Sequence, residues 1–224
     1  WDQVLLPTMA NDDGVDVFFS PYIKGPIRVR CPLVVTIHDL MDLVFPEYGG
    51  GRLSTALFKT MATRVGRRAD LILADSQYSA DDIARLLGLE KSKIQVLPLG
   101  LEERYRPLDD SRELDEVKKR YGIDAPYIYY LGNFKPHKNV QALIGAYARL
   151  ETGLRDRFTL VIGGREDRWF SERQNLVAKL GVADRVRFIG QVDEADMPGL
   201  YSGAELFVFP SIYEGFGLPP LEAM

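Results

Sequence analysis

Eight short apolar runs punctuate the chain: VDVFFS, LVVTIH, LILADS, IQVLPL, YIYYLG, FTLVIG, RVRFIG and LFVFPS. Each is continuous rather than alternating, which suits strands covered on both faces, as in a parallel sheet. Between them lie stretches with helical periodicity. RLSTALFKTMATRVGRR reads as one helix. SADDIARLLG reads as another, with a capping box from Ser79 and Asp82 and Gly88 as its stop. VQALIGAYARL and WFSERQNLVAKLG continue the pattern, the latter closing at Gly181. This βαβ alternation predicts an α/β fold with doubly wound parallel sheets.

The rhythm breaks once. Pro98 to Pro126 is charged and proline-flanked, with a short helical piece at its centre, as an interdomain linker would be. The pattern predicts an N-terminal domain over 1–106, a linker over 107–123 and a C-terminal domain over 124–224. Each domain supplies about four strands against the usual five to six, so both are expected to be incomplete.

Composition narrows the classes. With 46% hydrophobic and 27% charged residues in 224, the chain is an ordinary globular one with ample core. Its formal charge of −4 argues against non-specific nucleic-acid binding. Cys31 is the single cysteine and there are two histidines, so neither a disulfide nor a metal cage is expected. No apolar run approaches the ~20 residues of a spanning helix, and WDQVLLPTMANDDG lacks the pattern of a signal peptide. A reduced, cytoplasmic setting is expected.

Candidate chemistry sits where open α/β sheets bind ligands, on turns beyond the carboxyl ends of strands. His38 and Asp39 follow one strand; the plain alternative is that Asp39 caps the next segment and His38 is a loop residue. After YIYYLG, Gly132 precedes Lys135, His137 and Lys138, just before a helix beginning near Asn139. Lysines at a helix N-terminus can hold an anion; the alternative is a solvated basic loop. The third turn lies in EGFGLPPLE. Gly215 and Gly217 let backbone approach a ligand, and Pro219 and Pro220 suit the first turn of a helix. Glu214 and Glu222 flank that turn, and carboxylates accept strong hydrogen bonds from sugar hydroxyls. No GxxxxGK[ST], HExxH, CxxC or GxSxG motif is present, and the pair Gly163–Gly164 is too short for a dinucleotide fingerprint.

At VVTIHDLMDLVFPEY, ADLILADSQYSADDI, IQVLPLGLEERYRP, YLGNFKPHKN, RVRFIGQV and LYSGAELFVFPSIYEGFGLPPLEAM, the sequence resembles the GT-B retaining glycosyltransferases of the glycosyl transferases group 1 family (family four). The last block is the most specific, because Glu214 and Glu222 match the family's pair of glutamates separated by seven residues. TIHDLMDLVFPEY is most similar to bacterial mannosyltransferases of surface-polysaccharide synthesis. The resemblance implies two Rossmann-like domains holding a nucleotide-diphosphate sugar, and transfer of a hexose such as mannose to a saccharide or lipid-linked acceptor with retention of configuration. It implies Glu214, Lys138 and His38 as catalytic residues. Glu214 and His38 would meet the donor sugar, and Lys138 the leaving diphosphate. Glu222 would bind the ribose, with Gly215, Phe216, Gly217 and Leu218 around the diphosphate. Gly132, Asn133 and Lys135 would belong to the same donor site, and Gln191 and Val192 would lie by the base. Asn133 stands where many members carry arginine, and Lys135 is a candidate substitute for that charge.

The resemblance further implies a GDP- or UDP-linked donor, no metal and no other cofactor. It also implies peripheral membrane contact at the inner face, for which Lys59, Arg64, Arg67 and Arg68 along one helix are candidates; a solvated charged face is the alternative. Two other classes are weighed. Nucleotide-sugar epimerases share the architecture but lack the paired-glutamate block. A non-catalytic nucleotide-binding fragment is the other, because the chain opens on Trp1 and stops at Met224, short of the family's first strand and last helices. The isolated 224-residue piece is expected to be inactive.

Overall fold

Among the described residues of this computed structural model, 1–48 and 50–224, the eight apolar runs form eight strands in two parallel four-stranded sheets. The chain divides into two compact units, Trp1–Gly100 with Glu214–Phe216, and Leu101–Tyr213 with Gly217–Met224. Each unit carries one sheet covered by helices, the Rossmann-like arrangement that its continuous apolar runs imply.

The first unit runs α1 (Leu5–Asp12), β1 (Phe18–Ser20), β2 (Leu33–Thr36), α2 (Met41–Val44), α3 (Arg52–Arg68), β3 (Leu71–Ala74), α4 (Gln77–Leu87) and β4 (Ile94–Val96). The sheet order is β1-β2-β3-β4, with Val35 beside Ile72 and Ile72 beside Ile94. Leu33, Val35, Ile72 and Ile83 are fully buried. Each such side chain stabilises the fold by roughly 1.5–3 kcal/mol. α3 spans the predicted stretch and turns Ala62, Val65 and Gly66 inward. Its last residue is committed to the fold: the Arg68 guanidinium donates to the carbonyls of Val29 and Cys31 and pairs with Asp70. The capping box expected at Ser79 and Asp82 does not form. α4 starts three residues earlier, where the Ser76 hydroxyl accepts the Ser79 N–H at 3.0 Å. A helix takes the cap that its first turn can reach, and Ser79 already lies inside that turn. Gly88 ends α4 in the left-handed region, as expected.

The second unit runs α5 (Ser111–Arg120), β5 (Tyr127–Leu131), α6 (Val140–Ala148), α7 (Thr152–Arg157), β6 (Thr159–Gly163), α8 (Phe170–Lys179), β7 (Val186–Gly190), α9 (Met197–Ser202), β8 (Leu206–Phe207) and α10 (Leu218–Glu222). Its sheet order is β7-β6-β5-β8. Tyr130, Phe134, Ile144 and Ile162 pack one face, and Tyr127, Tyr129, Val161 and Leu200 the other. The segment read as a linker over 107–123 packs within this unit. Val117 of α5 sits on Gly199 of α9, where an added Cβ would come within 2.9 Å of it. The Leu108 N–H donates to Ser202 Oγ at 3.1 Å, and Arg120 and Tyr121 both reach the buried Asp196. The charge that suggests a linker in sequence is thus one polar helix face. The division falls at Gly100 instead.

Candidate functional site

The ends of β2 and β3 place the first-unit residues. His38 stands two residues beyond β2, with an exposed ring. Its Nδ1 lies 2.8 Å from Asp75 Oδ2, and its Nε2 lies 3.1 Å from the Pro21 carbonyl. Asp75 directly follows β3 and its side chain is only 6% exposed. A carboxylate that buried costs free energy without a partner, and the imidazole is the one it has among the described residues. Asp75 and the Pro21 carbonyl together set the ring plane. The neighbouring Asp39 accepts the Met41 N–H at 2.9 Å, a local turn that leads into α2 and matches the plain reading of Asp39 as a structural residue.

Glu214, Gly215 and Phe216 are partly buried and belong to this same unit. The Gly215 carbonyl accepts from Ser76 Oγ at 2.5 Å and from Ser79 Oγ at 2.9 Å. Ser79 Oγ also lies 2.8 Å from the His38 carbonyl, so one hydroxyl proton is shared between two acceptors. A Cβ on Gly215 would come 2.6 Å from the His38 carbonyl oxygen. Its glycine is therefore demanded by backbone packing on the side where a Cβ would point.

The second-unit residues gather on two loops. Beyond β5, a Cβ on Gly132 would come 2.6 Å from Tyr130 Oη, which donates to the Asn133 carbonyl at 2.8 Å. Asn133 Oδ1 accepts the Lys135 N–H at 3.1 Å. A short 3-10 turn, Pro136–Lys138, leads through Asn139 (φ 56°) into α6. His137 is buried, so the basic cluster reduces to Lys135 and Lys138. Lys138 Nζ stands 5.5 Å above the centroid of Phe209, a cation–π contact that orients the ammonium.

After β8, Gly217 (φ 97°) begins α10, a conformation that suits glycine, with Leu218, Pro219 and Pro220 in its first turn. Glu222 ends this helix, and its Oε2 accepts from Tyr201 Oη at 2.7 Å. The Val192 side chain is buried in the core against Gly163, so only its backbone can face a ligand. Gly164 of the Gly163–Gly164 pair is a packing device, since a Cβ there would overlap the Gly132 carbonyl. Among the described residues no group of three His, Cys, Asp or Glu could hold a metal ion. No helix among them is long and apolar enough to cross a membrane.

Asp75, Ser76, Tyr201 and Phe209 went unnoticed in the sequence. Asp75 carried a usable signal, an acid directly after a buried strand. Tyr201 and Phe209 carried none, because aromatics at such spacing read as core.

Glu214 and Glu222 thus flank a left-handed glycine at the head of a helix, and residues 112–224 containing them match the model of glycosyl transferases group 1. The chain belongs to the glycosyl transferases group 1 family. Residues 10–104 separately match Glycosyltransferase Family 4. The O-antigen chain mannosyltransferase B of Escherichia coli is 32% identical over 209 residues, covering 93% of this chain and 54% of the relative. The mannosylfructose-phosphate synthase of Agrobacterium fabrum is 30% identical over 165 residues, covering 70% of this chain and 36% of the relative. The chain therefore spans about half, or less, of these relatives. Among solved structures, Anabaena Alr3699/HepE in complex with UDP-glucose aligns with a TM-score of 0.77 at 21% identity, over 97% of this chain and 59% of that one. WaaG, a glycosyltransferase involved in lipopolysaccharide biosynthesis, aligns with a TM-score of 0.69 at 20% identity, over 97% and 59%. These likenesses establish the GT-B fold.

Proposed function

We propose that the protein of which this chain is part transfers a hexose from a nucleotide-diphosphate sugar to a saccharide or lipid-linked acceptor, with retention of configuration. The observation that carries the reading is the placement of Glu214 and Glu222 on either side of Gly217, with α10 opening between them. A carboxylate on each side suits two sets of hydroxyls, and backbone N–H groups between them suit a diphosphate. Relatives named as O-antigen chain mannosyltransferases favour mannose as the sugar. A GDP- or UDP-linked donor fits a family whose structural neighbours include complexes with UDP and UDP-glucose.

In this reading Glu214 accepts from hydroxyls of the donor sugar, and Glu222 from the ribose. Backbone around Gly215, Phe216, Gly217 and Leu218 faces the diphosphate. Gly132 and Asn133 shape the loop that delivers Lys135 and Lys138. Lys138, steadied over Phe209, neutralises charge growing on the leaving diphosphate. His38, aligned by Asp75, meets the donor sugar; the backbone at Val192 borders the base. Breaking the anomeric carbon–oxygen bond puts positive charge on the ring and negative charge on the leaving group, so electrostatic stabilisation of both dominates. The acceptor attacks on the face the diphosphate leaves, and the departing phosphate takes its proton. No metal or other cofactor is invoked.

The enzyme works in the cytoplasm, in peripheral contact with the inner face of a membrane. The support is α3, where exposed Leu53, Leu57 and Met61 recur at helical spacing and Lys59, Arg64 and Arg67 are also exposed. Arg68 is not part of that surface, because it is bonded inward.

Glu214→Ala, Lys138→Ala and Glu222→Ala in the full-length protein test the site. Each should lower transfer, by roughly a hundredfold or more for Lys138, with an unchanged unfolding transition. Undiminished transfer in all three would refute it.

A further inference from the structure

One polar contact in the second unit has no packing reason to exist. Tyr201 of α9 is buried, with its ring edge-on to Tyr105, Tyr129 and Phe207 at centroid separations of 6.1, 5.6 and 5.1 Å. Those contacts belong to the ring and would survive in phenylalanine. The same cluster tolerates a tyrosine hydroxyl without a partner, since Tyr129 Oη is buried and unbonded among the described residues. Tyr201 Oη instead reaches Glu222 Oε2 at 2.7 Å. Glu222 Oε1 has no protein partner among the described residues, and Glu222 lines a recess with Tyr105, Arg106, Pro107 and Ser202.

We propose that Tyr201 is a positioning residue, whose hydroxyl holds the Glu222 carboxylate in the one orientation that accepts both vicinal hydroxyls of a ribose. The inference rests on the reading of Glu222 as the ribose partner. A glutamate at the end of a five-residue helix has three side-chain torsions to order before it can bind. A donor on a ring pinned by three neighbours orders them in advance, which removes that cost from binding. The donor is dependable as well. Burial first, and then the Glu222 carboxylate, push the Tyr201 hydroxyl's pKa well above the ordinary tyrosine value, so it remains a donor at neutral pH. The carboxylate oxygen it occupies is fixed, and the other is turned to the ligand.

Tyr201→Phe tests this directly, because it deletes one oxygen and keeps the ring. Calorimetric affinities of the full-length protein for GDP and UDP are compared with those for their 2′,3′-dideoxy counterparts, in wild type, Tyr201→Phe and Glu222→Ala. Wild type should prefer the ribose form of the base it binds. Glu222→Ala should lose that preference. Tyr201→Phe should lose roughly tenfold of ribose-form affinity, the worth of one charge-assisted hydrogen bond. Its affinity for the dideoxy form should stay at the wild-type value. If Glu222→Ala loses the preference and Tyr201→Phe retains it, the positioning role is overturned while the ribose site stands. Equal weakening of both forms by Tyr201→Phe also overturns it, since the hydroxyl would then serve the fold. If wild type shows no ribose preference, or binds neither nucleotide, the ribose reading and this inference fall together.

Discussion

Gly164→Ala should disable the second unit by a mechanism readable at a single atom. Gly164 leaves β6 with φ +155°, a region L-residues rarely adopt, so alanine is strained there regardless of space. Space is lacking as well. The new Cβ would overlap the Gly132 carbonyl oxygen and lie 3.0 Å from its carbon. Neither strand end can yield, because the Gly132 N–H donates to the Gly163 carbonyl at 3.0 Å and the Gly164 N–H to the Gly190 carbonyl at 2.7 Å. Backbone strain of about 1–3 kcal/mol and overpacking of about 1–3 kcal/mol then add. The expected loss is about 2–6 kcal/mol. Gly181→Ala is the matched control: it has φ +68° but open space around it, and should cost only about 1–2 kcal/mol. The two tryptophans, Trp1 and Trp169, lie one in each unit. Denaturant unfolding followed by Trp169 fluorescence in a Trp1→Phe background therefore reports the second unit alone. A Gly164→Ala loss no greater than that of Gly181→Ala would refute the argument from close approach.

Two further outcomes follow from the same structure. Asp75→Ala should lower transfer by roughly 10–100-fold, the worth of a hydrogen bond to a charged group, and Asp75→Asn by less, because its amide oxygen can still accept from Nδ1–H. Steady-state kinetics beside His38→Ala decide it, and wild-type turnover in Asp75→Ala would end the positioning role. Asp70 supplies a pH test. The Leu33 N–H foremost, then Arg68, hold its pKa below the ordinary aspartate value, so its contribution is present above the unfolded pKa and lost as pH falls through the lower folded one. Asp70→Asn should be the less stable protein at neutral pH in thermal melts, with the gap closing below about pH 4. A gap that persists under acid would rule out the charge as its source.

The fold was legible to an unusual depth because its elements are local in origin. β-type apolar runs and helical periodicity are properties of consecutive residues, and α3 forms over the whole stretch that carried the pattern. The glycine and proline turn of EGFGLPPLE was legible for the same reason. Ser76 was missed because a serine three residues later offered an equally good local pattern, and only the seating of α4 beyond β3 chose between them. The segment over 107–123 misled because its charges outnumber its few inward residues, Val117, Tyr121 and Ile123, and the partner of Tyr121, Asp196, lies 75 positions away.

By itself, then, the sequence determined two α/β halves, their strand content, and the paired glutamates around Gly217. Only the tertiary structure decided what holds those groups in place. Asp75 reaches His38 across 37 positions, Tyr201 reaches Glu222 across 21, and Lys138 meets Phe209 from another loop. The physical reason is that a hydrogen bond or a ring contact depends on atoms within a few ångströms. Parallel strands bring such atoms together only after long crossovers.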